Sequence, residues 1–173
     1  MENLVFLDES GCNVAMTRTH GWAPEGERAH SSRPFNHGDN ITLIGAIRAS
    51  GPVVLRRMRG SMNKERFINF VRHDLAPRLA KDDVVVLDNL GSHYADEAIQ
   101  AIEARCAHVL FLPRYSPDMN PIEMVWSWVK RQLRRVAART FDSLLGAINT
   151  AWRRVKRLSL TAFIRACGYG QCN

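Results

Sequence analysis

The order and periodicity of its segments predict that this chain folds as an α/β domain, a mixed five-stranded sheet flanked by helices. Three observations carry that expectation. Short, nearly continuous apolar runs recur at "LVFLDES", "DVVVLDN" and "HVLFLP", the pattern of strands buried on both faces. "NITLIGAIRASGPVVLRRMRG" sets two β-rich runs either side of Ser50-Gly51-Pro52, which is a hairpin signal. Elsewhere apolar residues recur every three or four positions, the period of an amphipathic helix.

In chain order, residues 4–10 read as the first interior strand. Residues 13–28, "NVAMTRTHGWAPEGER", read as a further strand running into a Gly/Pro turn. The hairpin of residues 40–60 follows, so this part of the chain suggests three antiparallel strands. Residues 61–79 carry Phe67, Phe70, Val71, Leu75 and Leu79 at helical spacing. Ser61 or Asn63 is the candidate N-cap, and Pro77 kinks or ends the helix. Residues 83–89 form a second interior strand, 94–105 a helix and 108–113 a third apolar strand. Three helices then cover residues 120–136, 141–155 and 161–167. An antiparallel hairpin group joined to parallel crossover units, in the order βββ-α-β-α-β-α, is the layout of a ribonuclease-H-like fold.

At 173 residues and 46% hydrophobic content the chain suits one domain with a real core. No apolar run has the length of a membrane span, and Asp8 comes too early to follow a signal peptide. The four cysteines are scattered without a CxxC pair, which reads as reduced thiols in a cytoplasmic protein. The net charge of +7 is uneven: from Pro113 onward 11 Lys/Arg face three acids, while the first 112 residues carry 13 basic and 14 acidic residues. A basic C-terminal third suits a polyanion, because Lys and Arg neutralise phosphates and release counterions.

Asp8 and Asp88 each close an apolar run, "LVFLD" and "VVVLD". Ligand sites of open α/β sheets lie outside the carboxyl ends of their strands. Were the two strands neighbours, two carboxylates would share one crevice and each would resist ionisation until a cation came between them. Oxygen-only ligands favour Mg²⁺ or Mn²⁺. The plain reading of either acid alone is a turn cap; for the pair, the functional reading leads. Glu9 points to the opposite strand face and reads as structural. Glu123 stays open on local pattern. "NPIE" places Asn120 at an N-cap, Pro121 at N1 and Glu123 at N3, a capping-box arrangement, yet a helix N-terminus also suits a metal-binding carboxylate. Trp126 falls on the apolar stripe of that helix with Ile122, Val125, Val129 and Leu133 and reads as core. Trp128 falls on another face.

"FLDES", "VVLDNLGSH" and "LPRYSPDMNPIEMVWSWVK" resemble the three catalytic blocks of mariner-like DDE transposases, in particular their bacterial insertion-sequence branch. Between Asp88 and Glu123 lie 34 residues, the spacing of the Asp-Asp-Glu members. "SPDMNPIE" is the most specific piece, and "GWAPEGE" is similar to the family's turn after its second strand. The resemblance runs from about residue 3 to the last helices. It implies a ribonuclease-H-like fold and a catalytic triad of Asp8, Asp88 and Glu123 holding two Mg²⁺ ions (Mn²⁺ as substitute), with Asp8 bridging. It implies metal-dependent cleavage and joining of DNA at transposon ends, on paired ends by a dimer. Asn89 and His93 belong to the same block, His93 near the DNA. Arg114, Lys130 and Arg131 are candidates for a nearby phosphate. Family members carry an N-terminal helix-turn-helix region that reads the transposon ends; here the catalytic strand begins within the first few residues. The expectation is therefore a single catalytic domain over residues 1–173 with a basic helical portion from about 137, its helix-turn-helix absent or separately encoded. Two other classes fit the acids: a related metal nuclease without strand transfer, and an inactive remnant that binds DNA through its basic tail.

Overall fold

The computed structural model describes residues 1–32, 34–36, 38, 40–89 and 95–170. Five strands, β1 (Leu4–Cys12), β2 (Ile41–Arg48), β3 (Gly51–Arg59), β4 (Val84–Leu87) and β5 (His108–Phe111), form one sheet in the order β3-β2-β1-β4-β5. β1 pairs antiparallel with β2 and parallel with β4, so the mixed character arises at the central strand. Among the described residues five α-helices accompany it: α1 (Lys64–Phe70), α2 (Asp96–Glu103), α3 (Ile122–Val136), α4 (Phe141–Val155) and α5 (Leu160–Ala166).

The alternation of β1 sorts the two faces. Val5 and Leu7 point toward α1 and α2, where Phe67, Phe70, Ala98 and Ile102 close one core. Phe6 points the other way, toward Trp126 and Val129 of α3, Ile148 of α4 and Ile164 of α5. A central strand apolar on both faces requires cover on both sides. Asn63 caps α1 by accepting from the Arg66 N–H at 2.9 Å. The helix then loosens into a π turn (Val71–Leu75), and Pro77 lies in the 3₁₀ turn (Ala76–Arg78) that ends it. The basic C-terminal third is not a loose tail: Leu144, Ala151, Val155 and Leu160 are buried in the α3-side core. The thiols of Cys12, Cys106 and Cys167 are free. No helix among the described residues is long and apolar enough to cross a membrane.

Three expectations need correction. Residues 13–28 form no strand; Asn13 folds an Asx turn onto the Ala15 N–H (3.1 Å), and Arg139 Nη1 holds the Val14 and Met16 carbonyls at 3.0 and 3.1 Å. The antiparallel group is β1, β2 and β3. Asp8 does not end its strand, because Glu9 to Cys12 stay paired to β2. Asn120 is not the N-cap of α3, which begins at Ile122 after Pro121, and no side chain caps it.

Gly45 sits opposite Asp8 in the β1–β2 ladder. A Cβ there would lie 3.0 Å from Trp126, 3.2 Å from Trp152 and 3.2 Å from the Val54 carbonyl. The two indoles are stacked at 5.7 Å and Trp126 is buried, so a methyl here must push against packed rings and the Val54 backbone. Gly45→Ala is expected to lower stability by about 1–3 kcal/mol, the cost of overpacking a filled core. Chemical denaturation checks this; an unchanged midpoint would show that the rings give way.

Candidate active site

The parallel register sets the site. Leu4, Val5 and Phe6 pair with Val84, Val85 and Val86, and carrying that register on by two residues brings Asp88, the first residue after β4, alongside Asp8. Strands in a sheet lie about 4.8 Å apart. Both acids share the parity of Phe6 and Val86, whose side chains join the α3-side core. The crevice opens where β4 stops while β1 runs on beside β2. That face is the one α3 covers, and Glu123 stands in its first turn.

Asp8, Asp88 and Glu123 line one cleft of about 460 Å³ together with Asn89, Arg114, Asn120 and the turn at Tyr115–Pro117. Asp8 is 7% exposed, and its Oδ2 has no hydrogen-bond partner among the described residues. Burial pushes its carboxyl up to about 7; the Glu9 N–H opposes this, and the charges of Glu123, Asp88 and Glu9 add to it. Asp83 is the useful contrast. At 2% exposure it is buried more deeply, but it accepts from Arg48 at 2.9 Å and from the Ala80 N–H at 2.8 Å. One buried acid is neutralised by the protein; the other faces further carboxylates.

Asn120 is a site residue that sequence reasoning assigned to a helix cap. It is 2% exposed, its Nδ2 donates across the fold to the Leu7 carbonyl at 3.4 Å, and its Oδ1 has no partner among the described residues. It thus ties the start of α3 to the peptide that precedes Asp8. Tyr169 secures the same turn, donating to the Met119 carbonyl at 2.9 Å while its ring packs edge-on against Phe6 at 4.9 Å. Only the pairing of "NPIE" with distant β1 carries the Asn120 role, and no local pattern contains it.

Of the other candidates, Arg114 and Asn89 line the cleft, and Arg131 lines a separate one. Lys130 lines neither; its charge acts on buried Cys12. Trp126 is buried, and Trp128 packs partly buried against the same core. His93 lies outside the described residues. No three His, Cys, Asp or Glu side chains among the described residues stand close enough together to hold an ion as they are.

A family profile described as DDE superfamily endonuclease matches residues 3–145, well over half the chain. The chain belongs to that family. It is 24% identical over 161 residues to the Tc1 transposase of Caenorhabditis elegans (87% of this chain, 59% of that protein). To the Tcb2 transposase of Caenorhabditis briggsae it is 25% identical over 163 residues (88% and 60%). It therefore spans about three-fifths of the curated relatives it matches. Among solved structures, the mariner Mos1 paired end complex with Mg shares the fold at a TM-score of 0.70 and 18% identity, covering 95% of this chain and 53% of that one. The catalytic domain of the Mos1 mariner transposase does so at 0.57 and 14% identity, covering 96% and 83%. The fold of this DDE family member is ribonuclease-H-like.

The residues present suit divalent cations. The donors are carboxylate and amide oxygens, with no His or Cys among the described residues that line the cleft, and Asp8 and Asn120 each bury an oxygen without a partner among those residues. Hard oxygen ligands with excess negative charge select Mg²⁺ or Mn²⁺ over softer metals.

Proposed function

We propose that this chain is the catalytic domain of a mariner-like transposase of the insertion-sequence branch, cutting and joining DNA strands at transposon ends. The observation that carries the reading is the shared cleft of Asp8, Asp88 and Glu123 around a buried, unneutralised carboxylate. These three side chains would hold two Mg²⁺ ions, or Mn²⁺ in their place. Bound there, such ions activate a water or a DNA 3′-hydroxyl and stabilise charge in an in-line displacement at phosphorus. The protein's part is positional. β1 and β4 fix the two aspartates in register, Asn120 and Tyr169 fix the start of the helix that carries Glu123, and Arg114 offers a cation for the strand being cut. The DNA partner, a homodimer on paired ends and a helix-turn-helix portion that reads those ends belong to this same proposal. Support comes from relatives: the Mos1 structures include paired-end complexes with transposon-end DNA.

The test uses supercoiled plasmid and a short duplex with a pre-cut 3′-hydroxyl end. Nicks that require Mn²⁺ or Mg²⁺ and vanish in EDTA, with joining of the pre-cut end to plasmid, are the expected result. Metal-dependent nicking without joining would instead favour a nuclease lacking strand transfer. No metal-dependent cleavage at all would leave only a DNA-binding remnant.

A further inference from the structure

A row of arginines leaves the acid cleft along the outer face of α3. At 3.6 residues per turn, Glu123, Ser127, Arg131 and Arg134 fall on one stripe with Arg135 beside it, opposite the buried Val125, Val129 and Leu133. Past Glu123 the stripe borders a second hollow of about 660 Å³, lined by Ser127, Arg131, Arg134 and Arg135 together with Arg18 and His20. None of the described residues that line it is acidic. Among the described residues, no ion pair involves any of these four arginines. Four like charges around one hollow repel one another, and a polyanion relieves that repulsion.

The hollow has a fixed wall. Arg139 holds the Val14 and Met16 carbonyls, so the segment carrying Arg18 is tied to the turn after α3. His20 is oriented by a 2.9 Å hydrogen bond between its Nδ1 and the Thr19 hydroxyl. A neighbouring hollow shares Arg18 and Arg135 and adds Arg154 and Ser143 from α4, extending the basic surface across the α3–α4 seam.

We infer that this hollow is a phosphate-backbone site that holds duplex DNA against the outer face of α3, on a path leading from the acid cleft. Guanidinium groups suit the site because each presents paired donors to phosphate oxygens. From Ser127 to Arg135 the helix rises about 12 Å at roughly 1.5 Å per residue. Along the duplex axis one DNA strand advances about 3.4 Å per phosphate, so a row lying parallel to that axis would span three or four phosphates and a row following the strand itself fewer. No base edge is addressed, so the contact tolerates any sequence. The identity of the polymer rests on the function proposed above; the unpaired basic hollow does not.

The test is binding of a short duplex of arbitrary sequence by anisotropy, in EDTA, so that no chemistry intervenes. Replacing Arg131→Ala and Arg135→Ala together is compared with Arg72→Ala and Arg105→Ala together, exposed arginines elsewhere whose loss removes the same charge. The first pair is expected to weaken binding at roughly 0.1 M salt by about tenfold per arginine and to reduce the slope of log K against log salt by about two. The second pair should leave both nearly unchanged. Equal effects from the two pairs would mean attraction by net charge alone and would overturn the site. So would no effect from either, or tighter binding of duplex RNA than of DNA. Melting of each variant checks folding. A protein that binds through this hollow yet never cuts DNA sinks the catalytic proposal and leaves this one standing. A protein that cuts DNA with the hollow silent does the reverse.

Discussion

Asp88→Asn is expected to lower Mg²⁺-dependent strand cleavage by roughly a thousandfold, equivalent to about 4 kcal/mol of transition-state stabilisation, while duplex binding in EDTA stays essentially unchanged. The substitution keeps the shape of the side chain and removes its charge. Asp88 follows β4 directly, where the parallel register with β1 sets it beside Asp8, so the loss falls on the pair and not on a lone surface acid. If three carboxylates balance two divalent ions here, as proposed, a neutral amide oxygen would be a poor substitute for one of them. Binding survives because the basic hollow along α3 is lined by other residues. Glu123→Gln is a companion measurement, since Glu123 is exposed in the first turn of its helix and also serves as a favourable helix-terminal charge. Near-normal cleavage by Asp88→Asn, with metal dependence intact, would remove this residue from the chemistry and with it the reading of the cleft.

Much of this was legible in the sequence for a specific reason. β1, β4 and β5 are interior strands, and burial on both faces leaves an unbroken apolar run that needs no knowledge of the partner strand. The α3 stripe of Ile122, Val125, Trp126, Val129 and Leu133 is equally local, and all five are buried. What failed was long-range. The apolar run of β1 ends at Asp8, but pairing with β2 continues to Cys12, because the ladder is held by backbone groups that any side chain can accompany. Val14 and Met16 alternate as a strand would, yet the guanidinium of Arg139, far along the chain, takes their carbonyls. Asn120 looked like a cap and instead reaches Leu7. "DVVVLD" has an aspartate at each end, and only its place at the carboxyl end of the run singles out Asp88. Asp83 is paired by Arg48, whereas Asp88 shares a cleft with two more acids.

Asp8 then makes a second large effect expected, this time on stability. Its carboxyl stands at about 7 in the folded chain against an ordinary 3.8. A raised folded value means that the native state keeps a proton which the unfolded chain has released. Below the ordinary value both states are protonated, and Asp8 imposes no penalty. Between 3.8 and about 7 the unfolded state binds fewer protons, so stability falls as pH rises, by about 1.4 kcal/mol per pH unit. Above that window the penalty is complete, at most about 4 kcal/mol. Metal-free Asp8→Asn cannot ionise, so it should be as stable as the parent chain at low pH and more stable at pH 8, while cutting no DNA. Mg²⁺ should restore stability to the parent chain and not to the variant, because only the parent gains a binding partner for its native state. Denaturant midpoints for both proteins in EDTA and in Mg²⁺, taken across that pH range, test all of this together. If the two proteins track one another in EDTA from acid to alkaline pH, the buried carboxylate is stabilised by something other than a missing cation, and a metal site at Asp8 loses its physical basis.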